Sequence, residues 1–360
     1  VAMKKFTLYI LTAFGLMGLA TSCNDFGDVN NDPMNLNPGV VDYKMEFTQV
    51  EAQICGSDWD VWRNGCIYTA NMIQHTASVD WAYGVFYTWN DQYSGAYWGG
   101  FYSGGRAAIR NIIDVMNNWE GNPAYANEYQ MCRILKAYMF QNMTDLYGDV
   151  PYSEAGQGYS TNPIPYPKYD TQEAIYDDLL KELDEAQAAL STSAGNTIGA
   201  ADVIYGGDAA KWKKFANSLM LRVAMRLTKV APDKAKTWVA KAVSNGLFVS
   251  NDDNAIVRHT NGSPSDDSAE PYGKVFSSLD TQAFYISETF INILQDDPRL
   301  PLIATVCTRD PKPGWGDADF DLGDNTAAKQ KGMPVGYDVS GGDWDLSKAP
   351  SYQVDWRKAY

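Results

Sequence analysis

Apolar residues recur at steps of three and four along most of the chain, a spacing that places them on one face of an α-helix. In residues 104–119, for example, Ile109, Ile112 and Met116 share such a face. The same period predicts further helices over 124–147, from 170, from 208, over 232–246 and over 281–295. Strand signals are weak and local, as in 255–259. The pattern therefore predicts an all-α, mainly helical fold.

Residues with known preferences for helix ends mark several boundaries. Asp170, with Glu173 three residues later, predicts a capping-box start, and Asp208 predicts another helix start. Gly148 and Gly246 fit the position just after a helix, where a positive φ is common. These helices are predicted to form antiparallel pairs like tetratricopeptide hairpins, although the fixed period of about 34 residues is not met.

The first 22 residues predict a secretory signal peptide. Lys4 and Lys5 precede an uncharged apolar run over 6–20, which is shorter than the roughly 20 residues of a transmembrane helix. The letters "ATSC" resemble a bacterial lipobox, so we expect cleavage before Cys23 and lipid attached to it. Ordinary secretion and a true transmembrane helix are the alternatives.

The remaining chain divides by composition. Residues 23–39 are rich in Asn, Asp and Pro and predict a flexible tether. Residues 40–360 form the predicted domain, with a helical body over about 40–300 and a loop-rich part over 301–360. The net charge of −15, with no basic stripe, makes nucleic acid a poor partner.

Cysteine and histidine are too sparse to indicate a metal or a His-dependent catalytic site. His75 and His259 lie far apart without Cys or Glu at ligand spacing. Cys55 and Cys66 are close enough to bridge, and both the bridged and the free state are open. Cys132 falls in a helical apolar pattern, which predicts a buried thiol. We therefore expect no cofactor.

An acidic segment, "DADFDLGDN" over 317–325, invites comparison with a calcium-binding loop. An EF-hand needs Gly at its sixth position and Glu at its twelfth. Here Gly323 falls at the seventh position and Ala328 at the twelfth, so the segment is not an EF-hand. A solvated acidic loop and a looser structural calcium site are the two interpretations.

The region over 59–102 is unusually aromatic. It holds 13 aromatic residues, including five of the 11 tryptophans. Flat aromatic faces suit the apolar faces of sugar rings, and neighbouring amides and carboxylates suit the hydroxyls, although core packing is the common role of aromatic residues. The candidate ligand-binding residues are Trp81, Trp89, Tyr93, Tyr97 and Trp98.

Glycoside hydrolysis would need two carboxyl groups across a sugar bond, one with a raised pKa. No local stretch of the sequence marks such a pair. The acidic residues of 177–185 fall on a predicted helix, where a charged face is usually exposed.

The segment "NMTDLYGDVPYSEAG", residues 142–156, is similar to the SusD/RagB family of Bacteroidetes outer-membrane lipoproteins. The segments "GRAAIRNIID", "AAKWKKFANSLMLRVAMRL" and "FINILQDDPRLP" agree with it, and together they cover nearly all of 23–302. The chain looks closest to the subgroup with tetratricopeptide-like helix pairs.

This resemblance implies a SusD-like fold, in which helical hairpins support a loop-rich ligand-binding part. It implies a non-catalytic, lipid-anchored protein of the outer-membrane surface that captures glycans, or sometimes peptides. It also implies delivery of the ligand to a SusC-like TonB-dependent β-barrel transporter. The chain looks shorter than a full member, so we expect 301–360 to be incomplete. A surface hydrolase and a structural or adhesive protein are the alternative functions.

Overall fold

The computed structural model describes residues 41–78, 81–103, 108–159, 162–260, 270–275, 284–304, 326–337 and 341–349. The elements from Lys44 onward belong to one compact unit. The predicted signal peptide, the lipidation site Cys23, the tether and the acidic segment over 317–325 lie outside the described residues.

Helices dominate the described chain. The α-helices are α1 (Tyr43–Gln53), α2 (Asp58–Asp60), α3 (Asp91–Ser94), α4 (Ala96–Trp98), α5 (Ala108–Trp119), α6 (Ala126–Tyr147), α7 (Gln172–Ala189), α8 (Ala209–Arg226), α9 (Pro232–Asn245), α10 (Pro271–Lys274), α11 (Glu288–Leu294) and α12 (Leu300–Ile303). Two segments, Val61–Ala70 and Gly99–Ser103, are π-helices. Short 3₁₀ turns occupy Pro123–Tyr125, Gln157–Tyr159, Gly199–Ala201, Asn251–Asp253, Ala327–Lys329, Gly342–Trp344 and Leu346–Lys348.

Helices α5 to α9 pack in sequence order, each against the next. Their apolar faces are the ones that the period predicts, and residues such as Ile112, Leu135, Leu179 and Val223 are fully buried. Burying one such side chain stabilises the fold by about 1.5–3 kcal/mol. The predicted all-α, hairpin-based fold is confirmed.

Hydrogen bonds between helices show that neighbours are antiparallel. Asn127, near the start of α6, bonds through its side chain to the backbone of Ser191 just beyond α7, at 2.8 and 2.9 Å. At the other end, the Gln172 side chain donates to the carbonyl of Thr144 at 2.6 Å. The start of each helix therefore lies beside the end of the other.

Helices α7 and α9, two apart in sequence, lie side by side in the same direction. Lys234 pairs with Asp177 at 2.6 Å, and seven residues later in both helices Lys241 pairs with Asp184 at 2.5 Å. The equal spacing in both helices requires parallel axes. Successive hairpins therefore stack as structural repeats do.

Helix caps follow the predicted chemistry with one shift of register. Asp208 caps α8 as predicted, accepting the N–H groups of Ala210 and Lys211. The predicted start at Asp170 is wrong by one residue, because Thr171 caps α7. The Asp170 carboxylate instead accepts the N–H and hydroxyl of Ser153, at 2.7 and 2.8 Å.

The glycines predicted to end helices do so. Gly148 follows α6 with a φ of 76°, and Gly246 follows α9 with a φ of 96°. Such angles strain residues that carry a Cβ atom. The two glycines therefore let the chain leave each helix without strain.

Two small antiparallel sheets connect parts of the chain that are distant in sequence. Strand β1 (Thr76–Ser78) pairs with β4 (Phe284–Ile286), and β2 (Val150–Pro151) pairs with β3 (Tyr169–Asp170). The helix predicted over 281–295 is thus wrong in part, because β4 pairs with β1 and α11 begins only after it. The weak strand signal over 255–259 corresponds to no strand.

The described cysteines do not form a disulfide. Cys55 and Cys66 both remain thiols and do not bridge to each other, so the bridged alternative is excluded in this structure. Cys132 is buried and free, as predicted.

Candidate aromatic binding surface

The five candidate residues occupy different environments. Trp89 is open to solvent, with 76% of its surface exposed. Trp81, Tyr93 and Trp98 are half-buried, and Tyr97 is buried. The structure therefore brings these residues to separate aromatic groupings rather than to one platform.

Trp89 stands on a loop, residues 81–90, that passes over the π-helix Val61–Ala70. Tyr87 on the same loop is 68% exposed and has a φ of 54°. A positive φ is uncommon for an aromatic residue and persists only where the surroundings enforce it. The indole N–H of Trp89 donates to the Asp91 carboxylate, which fixes the direction of the ring.

One buried phenol holds this loop in place. The Tyr68 hydroxyl accepts the N–H of Asn90 at 2.8 Å and donates to the carbonyl of Thr88 at 3.3 Å. Burial raises the pKa of Tyr68, so the hydroxyl keeps its proton and remains a donor. The N–H of Gly84 also donates to the carbonyl of Ile67 at 3.1 Å. Tyr87 and Trp89 are thus displayed on a pre-organised loop.

Trp81 and Tyr93 belong to a packed cluster around Trp62. The Trp62 ring lies 5.1 Å from Trp81 and 5.8 Å from Tyr93, both edge to face. The Arg63 guanidinium lies 5.1 Å from the ring of Trp59 and 5.7 Å from that of Tyr93. Rings that pack on one another and on a cation have fewer open faces, so this cluster mainly supports its neighbours.

Tyr97 was predicted to offer an open face for stacking, but the structure buries it. Its ring stacks on Phe101 with centroids 4.1 Å apart, and 9% of its surface is exposed. Its backbone N–H donates to the Asn64 side chain at 2.9 Å. This residue therefore joins the core beneath the surface.

Trp98 belongs to a second aromatic grouping, together with Tyr147 and Tyr169 from later in the chain. Its ring lies 5.4 Å from Tyr147, edge to face, and 6.0 Å from Tyr169, stacked at 23°. Tyr169 is 62% exposed. Tyr169 thus provides an exposed aromatic face, and the half-buried Trp98 packs against it and supports it.

The segment that ends α6 holds this second grouping together. The Tyr147 hydroxyl accepts the N–H of Trp98 at 3.1 Å and donates to the carbonyl of Ser94 at 2.8 Å. The Tyr102 hydroxyl donates to the carbonyl of Pro151 at 2.5 Å, and Pro151 pairs with Tyr169 across the β2–β3 ladder. The "TDLYGDVPYSEA" segment therefore fixes both Trp98 and Tyr169.

Sequence reasoning missed Tyr87 and Tyr169. Tyr87 lies inside the aromatic region, but its exposure follows from its backbone conformation, which composition does not reveal. Tyr169 is 71 residues from Trp98, and only the strand pairing brings the two together. The nearby "DVPY" turn was the available signal.

The described residues lack two features that would change this picture. Among them, no group of three or more His, Cys, Asp or Glu side chains is arranged to hold a metal ion. Within the same ranges, no helix combines the length and the apolarity that crossing a bilayer requires.

The described residues thus form a stack of antiparallel helical hairpins that positions several exposed aromatic side chains. The sequence of the chain matches the profile of the SusD-like_2 family, described as "Starch-binding associating with outer membrane", over residues 42–348. The chain belongs to this family. None of the curated proteins compared with it is similar enough to count as a relative.

Solved structures agree with this assignment. A chitin-binding protein has 30% identity and a TM-score of 0.68, with 85% of this chain and 63% of that chain covered. A SusD-like protein from Bacteroidetes has 31% identity and a TM-score of 0.69, with coverage of 80% and 55%. A chitin-binding SusD homologue from Flavobacterium johnsoniae has 26% identity and a TM-score of 0.61, with coverage of 76% and 55%. The chain thus spans less than two thirds of each of these proteins.

Proposed function

We propose that this protein is a non-catalytic glycan-binding lipoprotein of the outer-membrane surface. It captures oligosaccharides and delivers them to a SusC-like TonB-dependent transporter. The observation that carries the proposal is the pair of pre-organised aromatic displays, Tyr87 with Trp89 and Trp98 with Tyr169. Aromatic faces held rigidly before binding lose little entropy when a sugar ring stacks on them.

Polar groups beside each display suit the hydroxyls of a bound sugar. Asp91 and Gln92 are exposed next to Trp89, and Lys168 is exposed next to Tyr169. The Asp91 carboxylate accepts hydrogen bonds, the Lys168 ammonium donates them, and the Gln92 amide does both. Each display therefore combines an apolar face with polar partners, as carbohydrate recognition requires.

The ligand class follows from the relatives. Two similar structures are named as chitin-binding, and they share 30% and 26% identity with this chain. We therefore propose oligosaccharides of N-acetylglucosamine as the first ligands to test, with starch oligosaccharides second because of the family description.

The anchor and the domain limits belong to the same proposal. Cleavage before Cys23 and lipid on its thiol would hold the protein at the membrane, with 23–39 as the tether and 40–360 as the binding domain. Replacement of Cys23 by Ala is expected to release the protein from the membrane fraction. Continued membrane association of that variant would contradict the lipid anchor without affecting the glycan-binding proposal.

Calorimetric titration with the two oligosaccharide series tests binding. Trp89→Ala and Trp98→Ala are each expected to weaken binding about tenfold, the effect of losing one stacking contact. The matched controls are Trp344→Ala, an exposed tryptophan, and Trp238→Ala, a half-buried one on α9. Both lie outside the two displays and are expected to bind as the unmodified protein does.

Two results would contradict the proposal. One is the absence of heat with either series while a peptide library binds tightly. The other is equal loss of affinity in the tested and control variants, which would place the binding surface elsewhere. Release of reducing sugar that depends on a particular Asp or Glu would instead support a hydrolase.

A further inference from the structure

A cavity of about 300 Å³ lies between the π-helix and α6. Gly65 and Thr69 line it from the π-helix, Tyr138 and Asn142 line it from α6, and Tyr272 of α10 closes another side. Neither of the aromatic displays contributes a residue to it. The cavity is therefore a separate site from the surface described above.

A chain of phenol and amide groups runs along the wall of the cavity. The Asn142 side chain and the aromatic side chains of Tyr97 and Tyr138 all line the cavity. Cys55 lines the same cavity. These groups offer both donors and acceptors next to the flat faces of aromatic rings.

Local backbone structure keeps the cavity open. Gly65 sits in the π-helix, a conformation that is rare and frequently occurs at functional sites. A Cβ atom at Gly65 would lie 3.1 Å from the Tyr272 hydroxyl, inside the cavity. A side chain at this position would therefore narrow the cavity.

The charged side chains around the cavity restrict the class of ligand that it can bind. Asp60 and Asp145 are acidic, and none of the described residues that line the cavity is basic. Asp145 is already paired with Arg226 at 2.8 Å. The Arg222 guanidinium lies 5.0 Å from the ring of Tyr138, which lines the cavity. The charges around the cavity are therefore balanced, which favours an uncharged ligand.

We propose that this cavity is a second binding site, which takes one uncharged sugar ring. Its volume is at the lower end of the range for small-molecule pockets and suits a single ring rather than a chain. The tyrosine rings provide the apolar face, and Asn142, the phenols and Asp60 provide partners for hydroxyl groups. The ring comes from a free monosaccharide or from the end of a longer glycan.

Cys55 provides a built-in reporter for this site. Its thiol lines the cavity, and the residue is exposed to solvent. Alkylation of Cys55 by iodoacetamide, followed by peptide mass spectrometry, therefore measures access to the cavity. Partial desolvation of the sulfur, with the nearby Glu270 carboxylate, raises the pKa of the Cys55 thiol although part of the residue is exposed, so the reaction is best followed at mildly alkaline pH.

N-Acetylglucosamine or glucose at millimolar concentration is expected to slow alkylation of Cys55 several-fold. Protection by both monosaccharide and oligosaccharide would identify the ring itself as the ligand, whereas protection by oligosaccharide alone would identify a chain end. Equal alkylation rates with and without every sugar would overturn the proposal.

Variants separate this site from the aromatic displays. Gly65→Ala adds a methyl group that narrows the cavity beside Tyr272, and Tyr138→Phe removes one hydroxyl. The first is expected to weaken protection of Cys55 several-fold and the second to weaken sugar binding about tenfold. Gly158→Ala is the control, because a Cβ there meets nothing within 4 Å. Circular dichroism verifies that each variant is folded. If Gly65→Ala does not fold, Tyr138→Phe alone tests the cavity.

Trp89→Ala is expected to keep full protection of Cys55. Loss of protection in that variant would mean that sugar on the outer surface merely blocks the entrance, and this would overturn the second site. Conversely, retained protection with no oligosaccharide binding at the displays would overturn the proposed function alone.

Discussion

Glu51 is a fully buried carboxyl group on α1. Its Oε2 atom accepts the N–H of Val203 at 2.8 Å. Burial first, and the neighbouring carboxylate of Asp202 second, raise the pKa of Glu51 to about 10. Asp202 in turn accepts the indole N–H of Trp212 at 2.7 Å. At neutral pH, therefore, Glu51 is protonated in the folded protein.

This raised pKa predicts a dependence of stability on pH. Between the ordinary value of 4.5 and about 10, the unfolded chain has released the Glu51 proton while the folded chain keeps it. The free energy of unfolding must then decrease as pH rises through this window. Glu51→Gln, which keeps the shape without titrating, is expected to be more stable than the unmodified protein at neutral pH and to lose less stability towards alkaline pH.

Urea unfolding at several values between about pH 5 and pH 9 measures this slope. Glu173→Gln, an exposed carboxyl group on α7, is the control and should keep the slope of the unmodified protein. An unchanged slope in Glu51→Gln would show that another group causes the dependence.

At the level of single residues, the sequence predicts local roles such as helix capping better than it predicts which side chains are buried. The capping of α8 by Asp208 depends on local geometry alone and was predictable. Thr171 replaced Asp170 as the cap of α7 because Ser153, 17 residues away, binds the Asp170 carboxylate. In the same way, nothing local shows that Tyr97 is buried while Trp89 is exposed.

The loop over 81–90 is an element whose shape depends on one close approach. A Cβ atom at Gly84 would lie 2.5 Å from the carbonyl oxygen of Ile67 and 2.7 Å from that of Tyr68. Real Cβ atoms do not approach backbone this closely, so Gly84→Ala must push the loop away from the π-helix. The bonds from the Tyr68 hydroxyl to Thr88 and Asn90 would then be lost.

Gly84→Ala is expected to leave the helical content unchanged and to weaken oligosaccharide binding as much as Trp89→Ala does. Faster amide hydrogen exchange at Asn90 measures the release of the loop. Gly99→Ala is the matched control, since a Cβ there meets nothing within 4 Å. Unchanged exchange at Asn90 would show that the loop is held by other contacts.

Among the elements, the long helices were predictable and the short ones were not. Helices α5 to α9 show a sustained period of three and four, and burial of that face confirms it. Residues 284–286 fit the apolar pattern that predicts a helix, yet they pair as a strand with Thr76–Ser78, about 200 residues earlier in the chain. A pairing at that distance leaves no local pattern. The π-helix Val61–Ala70 likewise differs from an α-helix by a register that composition does not encode.

For the whole molecule, the fold class followed from the sequence and the candidate site did not. Local periodicity determines a stack of hairpins, because each helix packs against its neighbour in the chain. The aromatic displays instead need contacts between 87–102 and 147–169, which depend on where α6 ends and how β3 returns. Family motifs locate that junction, but only the structure shows that it holds Trp98.

A second long-range junction ties three distant segments together. The N–H of Met333 donates to the carbonyl of Ile286 at 2.8 Å, and the carbonyl of Met333 accepts the N–H of Glu288 at 2.7 Å. Ser287, between them, donates its N–H to the carbonyl of His75 at 3.1 Å. The Met333 side chain is fully buried against Ala77 of β1. Residues near 76, 286 and 333 thus form one structural unit.

This junction predicts the effect of one added methyl group. A Cβ atom at Gly332 would lie 2.1 Å from the carbonyl oxygen of Ser287, which is backbone and cannot rotate away. Gly332→Ala should therefore detach residues 326–349 and expose the site in which Met333 is buried. The expected loss of stability is about 2–5 kcal/mol, as for the loss of a buried methionine.

Limited proteolysis is expected to remove the segment early while α5 to α9 resist. Gly195→Ala, where a Cβ meets nothing within 4 Å, should be cleaved like the unmodified protein. If both variants resist equally, the junction does not hold the C-terminal part of the described chain, and its stability must come from contacts with the helical hairpins instead.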